Sequence, residues 1–476
     1  MAEKNTGATP VFGNLGDHTL TFREMMVLII KLSIPSILAQ ISATIMQYID
    51  AAMVGSLGTS ATGAIGLVAS TTWLFNGLCM AIATGFSVQV AQLIGAERGG
   101  EAKNVLRQSL IVCLISGLII GSVAVGISFP LPTWLGGEEI VLRDAHAYFF
   151  VFGAAIPFNL MRVLTGNMLQ CAGDMKTPSI LNASMCGLDV IFNYLLIFPT
   201  RAVSLFGMEM TMPGAGMGVA GAALGTALSE VVVAVIMLYI VCFRSSALRI
   251  TKGGSWALTA PCLRTAVRVA VPIAVERGIL GAAQVTATRI TAPLGTVAVA
   301  ANSLAVTAES LCYMPGYGIG SAATTLVGQS MGAGRKDLAK GFARASTWLG
   351  MGIMGAIAIV MFFAAPLMFA MLTPVPEIRE LGTQVLRIVV PAEAFFGASI
   401  VAAGALRGAG DTVGPSLLNL LSMWGVRITL ASILAPVMGL HGVWLAMTIE
   451  LIARGVLFLI RLLRGKWLTK SLIDSN

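Results

Sequence analysis

Residues 82–103, "IATGFSVQVAQLIGAERGGEAK", return 237 positions later as "IGSAATTLVGQSMGAGRKDLAK", residues 319–340, with 8 of 22 positions identical. At the same shift "QCAGDMKTPSILN" (170–182) meets "RGAGDTVGPSLLN" (407–419) with 7 of 13 identical, and "SLGTSATGAIGL" (56–67) meets "PLGTVAVAANSL" (293–304). One register held across three separated segments marks a duplicated chain. Beyond residue 198 the register slips: "GVAGAALGTA" (218–227) meets "GLHGVWLAMT" (439–448) at a shift of 221, so the first half carries about 16 extra residues (237 − 221). They fall in the loop "PTRAVSLFGMEMTMPGAGMG" (199–218).

What is duplicated is membrane-spanning. Of 476 residues 56% are hydrophobic and 11% charged, with a mean hydropathy of +0.86, whereas soluble chains carry about 25% charged residues. Runs such as "SLIVCLISGLIIGSVAVGISF", "AALGTALSEVVVAVIMLYIVCF" and "GIMGAIAIVMFFAAPLMFAML" match the roughly 20 helical residues that cross a bilayer core. The short alternating strands of an outer-membrane barrel are absent from the pattern. The sequence predicts an all-α integral membrane protein with twelve transmembrane helices: 25–54, 61–83, 105–129, 142–165, 179–198, 217–243, 263–289, 297–320, 342–368, 379–403, 415–437 and 441–463. The 53 glycines and 18 prolines that interrupt them are tolerated in lipid only beside other helices or a wet cavity, which favours a packed bundle.

Charge sets the orientation. The formal +8 lies in clusters at alternate span ends: Arg98, Lys103 and Arg107; Arg244, Arg249, Lys252, Arg264 and Arg268; Arg335, Lys336, Lys340 and Arg344; Arg461, Arg464, Lys466 and Lys470. That distribution speaks against nucleic acid as partner and makes these ends cytoplasmic by the positive-inside rule. Opposite connections are short (55–60) or acidic ("GGEEIVLRD", "PEIRE"). The expected organisation is a cytoplasmic N-terminal tail 1–24, an N-terminal six-helix lobe 25–243, a cytoplasmic linker 244–262, a C-terminal lobe 263–463 and a cytoplasmic tail 464–476. With no cleavable signal in the first residues, the first span would serve as insertion signal. The seven cysteines (79, 113, 171, 186, 242, 262 and 312) form no CxxC and no metal spacing with the three histidines, and read as buried thiols.

Six spans per half make the repeats parallel. Parallel repeats are related by an axis along the membrane normal, with the substrate site at their interface, so an alternating-access carrier is expected. Pro35, the "D..MVG.LG" of residues 50–58, "AQLIGAER", "Q.AGDMKTP", "GVAGAALGT", "APLGT", "VGQSMGAGR" and "GALRGAGDT" resemble the multidrug and toxic compound extrusion (MATE) family over residues 25–463. The resemblance implies two six-helix lobes forming a V, and an antiporter that expels amphipathic, often cationic compounds in exchange for H+ or Na+. It also implies a bacterial-type inner membrane location.

The repeat sorts the acids. Asp174 matches Asp411, Gly95 matches Gly332 and Arg98 matches Arg335, as a shared scaffold requires. The intramembrane acids lack acidic partners: Asp50 meets Ala287, Asp189 meets Val426, Glu276 meets Ala39, Glu309 meets Thr72 and Glu393 meets Ile156. Ionisable groups at such depth cost at least about 2.5–3.5 kcal/mol on insertion scales and mark function by default. Asp189 and Asn193 stand four apart and share a helix face, in the same lobe as Asp50. These three, with Thr226, form the expected ion-coupling site. Burial favours the uncharged form of a carboxylate, which suits a proton carrier; Na+ would need several oxygens gathered at Asp50 and Asp189. Asp50 matches the family's first-span aspartate, while the fifth-span pair, often Asn then Asp or Asn twice in the family, reads Asp then Asn here. H+ is the expected coupling ion, with Na+ the alternative.

Glu276 and Glu393 are expected to attract cationic substrate or form a second ion site, or else to pair with Arg387 or Arg427; Glu450 and Arg454, four apart, read as a salt bridge. The 25 methionines suit adaptable surfaces, though packing explains any one of them. Neither a P-loop nor a GxSxG nucleophile occurs, so ATP-driven transport and intramembrane catalysis are not expected, and no cofactor is. The partners are small organic molecules and the bilayer, for a monomer. The competing function is a lipid-precursor flippase of the same wider superfamily. It would want a cationic cavity, which Arg162, Arg277, Arg289, Arg387 and Arg427 keep open and the four acids Asp50, Asp189, Glu276 and Glu393 oppose.

Overall fold

The structure, a computed structural model, describes residues 20–205, 208–251 and 254–473. Most of the expected N-terminal tail, Lys252 and the last three residues lie outside the described residues. All twelve expected spans are helical. In the first half they are α1 (Phe22–Gly55), α2 (Thr59–Gly95), α3 (Gly99–Ile127), α5 (Glu139–Cys171), α6 (Lys176–Ile197) and α7 (Gly218–Tyr239), with a one-turn α4 (Leu131–Trp134) between the third and fourth spans. In the second half they are α8 (Ala260–Thr291), α9 (Thr296–Gly332), α10 (Lys336–Leu372), α11 (Pro376–Gly408), α12 (Val413–Ser422) continued by α13 (Thr429–Met438), and α14 (Leu440–Arg464). Eleven of these stretches are long and apolar enough to cross a membrane by composition alone. The twelfth, α8, falls short because it carries Arg264, Arg268, Glu276, Arg277 and Arg289.

The helices overrun the bilayer core. At 37 residues, α2 and α9 reach about 55 Å at 1.5 Å per residue, so their basic ends project beyond the lipid. Each lobe builds its own core. Phe86, Leu106, Phe149, Leu160 and Leu164 are packed together in the first, and Leu326, Phe342, Leu406 and Phe458 with Phe369 and Trp444 in the second. Outward-facing apolar side chains, such as the repeat partners Val123 and Val360, are exposed where a bilayer solvates them. The extra residues of the first half form an antiparallel hairpin, β1 (Pro199–Leu205) and β2 (Met208–Ala215).

The repeat extends to the backbone. Gly58 and Gly295 open α2 and α9 at φ 116° and 97°, and Gly173 and Gly410 turn at φ 94° and 93°, values that disfavour any side chain. The prolines at 35 and 272, also one repeat apart, both lie inside their helices. The lobes meet along α1 with α9 and along α2 with α8, two equivalent contacts. At the basic end α2 crosses α9. A side chain at Gly95 would strike the Gln329 carbonyl, and one at Gly332 the Gln92 carbonyl, so the crossing needs both glycines. Gln92 Nε2 donates to the Gly408 carbonyl at 3.0 Å, and Gln329 Nε2 to that of Cys171 at 2.9 Å, the same bond one repeat on. The lobes are thus tied at the basic end, and Tyr48 on α1 joins them again nearer the other end through the Thr307 carbonyl on α9 at 2.9 Å.

Two features depart from a plain twelve-helix bundle. Residues Met423–Ile428 adopt a π-helical turn, which widens the eleventh span at Arg427. The expected C-terminal tail turns back across the lobes: Trp467 is buried in the second lobe, while the Leu472 N–H donates to Gln92 Oε1 at 2.8 Å.

Candidate functional site

The half of the first lobe away from the basic end gathers Asp50 and Asp189. α1 packs along α6, placing Asp50, five residues from the end of α1, opposite the face of α6 that carries Asp189 and Asn193. Asn193 Nδ2 donates to Asp50 Oδ1 at 2.8 Å and to Asp189 Oδ2 at 3.0 Å. One amide thus bridges the two carboxyls. Asp189 and Asn193 are fully buried, and Asp50 is partly exposed.

α7 closes the cluster from behind. Gly225 lies so near Asn193 that a side chain there would strike Oδ1. Ser229 Oγ lies 3.5 Å from Asp189 Oδ1. Thr226, the expected fourth member, turns its hydroxyl to the Ala222 carbonyl of its own helix at 3.2 Å, so the α7 hydroxyl brought to the acids is Ser229, one turn further along. Deeper in the lobe, Arg162 Nη2 stands 3.5 Å from Glu230 Oε1. The same guanidinium donates to Asn159 Oδ1 at 2.9 Å and to Asn182 Oδ1 at 3.2 Å. Glu230 was not among the predicted site residues, although an acid in "LSEVVVAVIML" is as conspicuous as Asp50.

The second lobe treats its two expected residues differently. Glu276 receives Arg407 Nη2 at 3.1 Å on both oxygens, Ser416 Oγ at 2.5 Å and Asn419 Nδ2 at 2.7 Å. Its cation is thus Arg407, on α11, and not Arg387, which donates to the Phe362 carbonyl at 3.1 Å. Glu393 is fully buried beside the Cys312 thiol and the Glu309 carboxyl, and neither of its oxygens has a hydrogen-bond partner of ordinary geometry among the described residues. Arg427 lies near Glu309 and Glu450. The expected pair of Glu450 with Arg454 is present at 3.0 Å.

A family model described as MatE matches residues 35–195 and again 272–433, two matches whose starts lie 237 positions apart. The chain belongs to the MatE family. Its curated relatives include the probable multidrug resistance protein NorM of Thermotoga maritima, 27% identical and covering 92% of each chain. Another is the multidrug resistance protein MdtK of Yersinia pestis, 24% identical over 93% of this chain and 95% of that one. Among solved structures, a MATE protein in complex with MaL6 superposes with TM-score 0.85 at 21% identity, covering 94% of this chain and 98% of the other. The Vibrio cholerae MATE transporter VcmN in the bent form does so with TM-score 0.82 at 18% identity, covering 93% and 97%. At these identities the structural likeness is one of fold. MatE proteins are multi-pass membrane transporters of small molecules and not enzymes, and this chain is a transporter of that family.

Proposed function

We propose that the protein exports amphipathic, often cationic organic compounds across the plasma membrane in exchange for H+, as a monomer with both termini in the cytoplasm. The observation that carries the choice of ion is the orientation of Asn193. Its NH2 points between Asp50 and Asp189, where a bound Na+ would sit, and its carbonyl oxygen points away. A sodium ion prefers oxygen ligands and would require that amide to turn over. A proton shared by the two carboxyls needs no such change.

Coupling then follows from the lobes. Proton loading at Asp50 and Asp189 neutralises the first lobe, whose acids otherwise attract a cationic substrate in the cleft; substrate and proton therefore compete, and the lobes rock about the crossing of α2 and α9. In the second lobe Glu393 with Glu309 is proposed as a further cation site. Glu276, its charge already matched by Arg407, ties α8 to α11 and α12 in place of the substrate contact expected for it. The flippase alternative needs unmatched arginines; of the five that keep it open, Arg162 meets the carboxylate of Glu230 and Arg387 donates to a backbone carbonyl.

The test is a drug-resistance profile of cells with the protein, without it, and with Asp50→Asn, which keeps size and hydrogen bonding but cannot release a proton. Normal membrane insertion with lost resistance is expected; full resistance at equal expression overturns the proposal.

A further inference from the structure

On the proton-coupled reading of the Asp50 site, we infer that Glu230 and Arg162 are positioning residues: Glu230 balances the charge of Arg162 beside the Asp50–Asp189 pair and thereby sets how tightly that pair holds its coupling cation.

Charge inside the first lobe comes from few groups. Asp50 on α1, Asp189 on α6, Glu230 on α7 and Arg162 on α5 are the charged side chains in Coulombic reach of one another. The other titratable groups that face them are Cys79 on α2, Tyr148 on α5 and Cys186 on α6, and none of these types is charged at neutral pH in the absence of a special partner. Arginine stays charged in any environment. With Glu230 ionised beside it the pair is neutral, and the net charge of this four-residue cluster is that of Asp50 and Asp189.

The pair is held in place. Asn159 and Asn182 grip the guanidinium from α5 and α6, and Asn159 in turn donates to Asn76 Oδ1 on α2 at 2.6 Å. Ser229, next to Glu230, reaches Asp189, so α7 joins the two groups rigidly. Out of water, charges a few ångströms apart act on one another far more strongly than on a surface.

A scaffold role does not account for it. The repeat partner of Arg162 is Ser399, and that of Glu230, at the shift of 221, is Leu451; the second lobe instead carries its buried pair within α14, as Glu450 with Arg454. Buried ion pairs are also no better for stability than apolar residues of the same size. The pair occurs in the lobe that carries the coupling acids, beside them.

The experiment measures dye transport in membrane vesicles over a pH series, for wild type, Glu230→Gln, Glu230→Asp, the double variant Glu230→Gln with Arg162→Gln, and Asp50→Asn. In Glu230→Gln the unbalanced Arg162 favours negative charge on Asp50 and Asp189, so the pH of half-maximal transport should fall by about one unit, a tenfold loss of proton affinity. Glu230→Asp and the double variant should return to the wild-type midpoint. An unmoved midpoint in Glu230→Gln overturns the inference, as does a shift that persists in the double variant. If Glu230→Gln fails to reach the membrane, the double variant decides: a wild-type midpoint supports the balance and a displaced one overturns it. Transport by Asp50→Asn would instead overturn the coupling reading, separately from the role of Glu230.

Discussion

Asn193 donates to Asp50 at 2.8 Å although 143 residues separate them in sequence, and the same nitrogen serves Asp189, one turn away on its own helix. One amide therefore offers both its hydrogens to two carboxyls that would otherwise repel. Replacing it with the similarly sized leucine leaves both acids without that donor. Hydrogen bonds to charged groups contribute about 1.5–3 kcal/mol, so Asn193→Leu should insert normally and lose tenfold or more in transport rate. The check is dye efflux at matched expression; an unchanged rate would remove Asn193 from the site.

Much of this was legible beforehand because a bilayer imposes simple demands on sequence. Spans must be largely apolar, so the twelve helices could be counted, α8 among them despite Arg264, Arg268 and Arg289. Asp189 and Asn193 were legible as one face through their spacing of four. Rotational detail was not. Thr226 and Ser229 lie on adjoining turns of α7, and only the packing of Gly225 against Asn193 settles which hydroxyl approaches the acids. The partner of Glu276 was hidden for a different reason: Arg407 is 131 residues away, and no local pattern records a pairing between helices. Glu230 was hidden by nothing but its neighbours, a serine and a run of valines.

Arg407 provides a test of the second lobe. Removing it strands the carboxylate of Glu276, which is 2% exposed, and breaking a buried pair by deleting one partner costs about 3–5 kcal/mol. Arg407→Ala should therefore unfold at clearly lower temperature than wild type in detergent. Adding Glu276→Gln should recover most of the loss, since the stranded charge is gone. Equal melting of wild type and Arg407→Ala would show that the pair does not tie α8 to α11.

The glycine crossing of α2 and α9 implies a moving part. If the lobes rock about Gly95 and Gly332, the connections at 55–60 and 292–296 on the opposite face must approach and separate in each cycle. Cysteine pairs placed there, in a background with the seven native cysteines replaced, should cross-link to an extent that changes with substrate or with pH. Cross-linking indifferent to every ligand, across several pairs, would describe a static pore.

The central claim is that the Asp50–Asp189 pair exchanges a proton, and inside-out vesicles address it directly. They are loaded with a pH gradient in sodium-free buffer, and an ethidium-like cationic dye is added. The account predicts dye uptake that dissipates the pH gradient, abolished in Asp50→Asn. Dye that stays outside until a sodium gradient is imposed would contradict it.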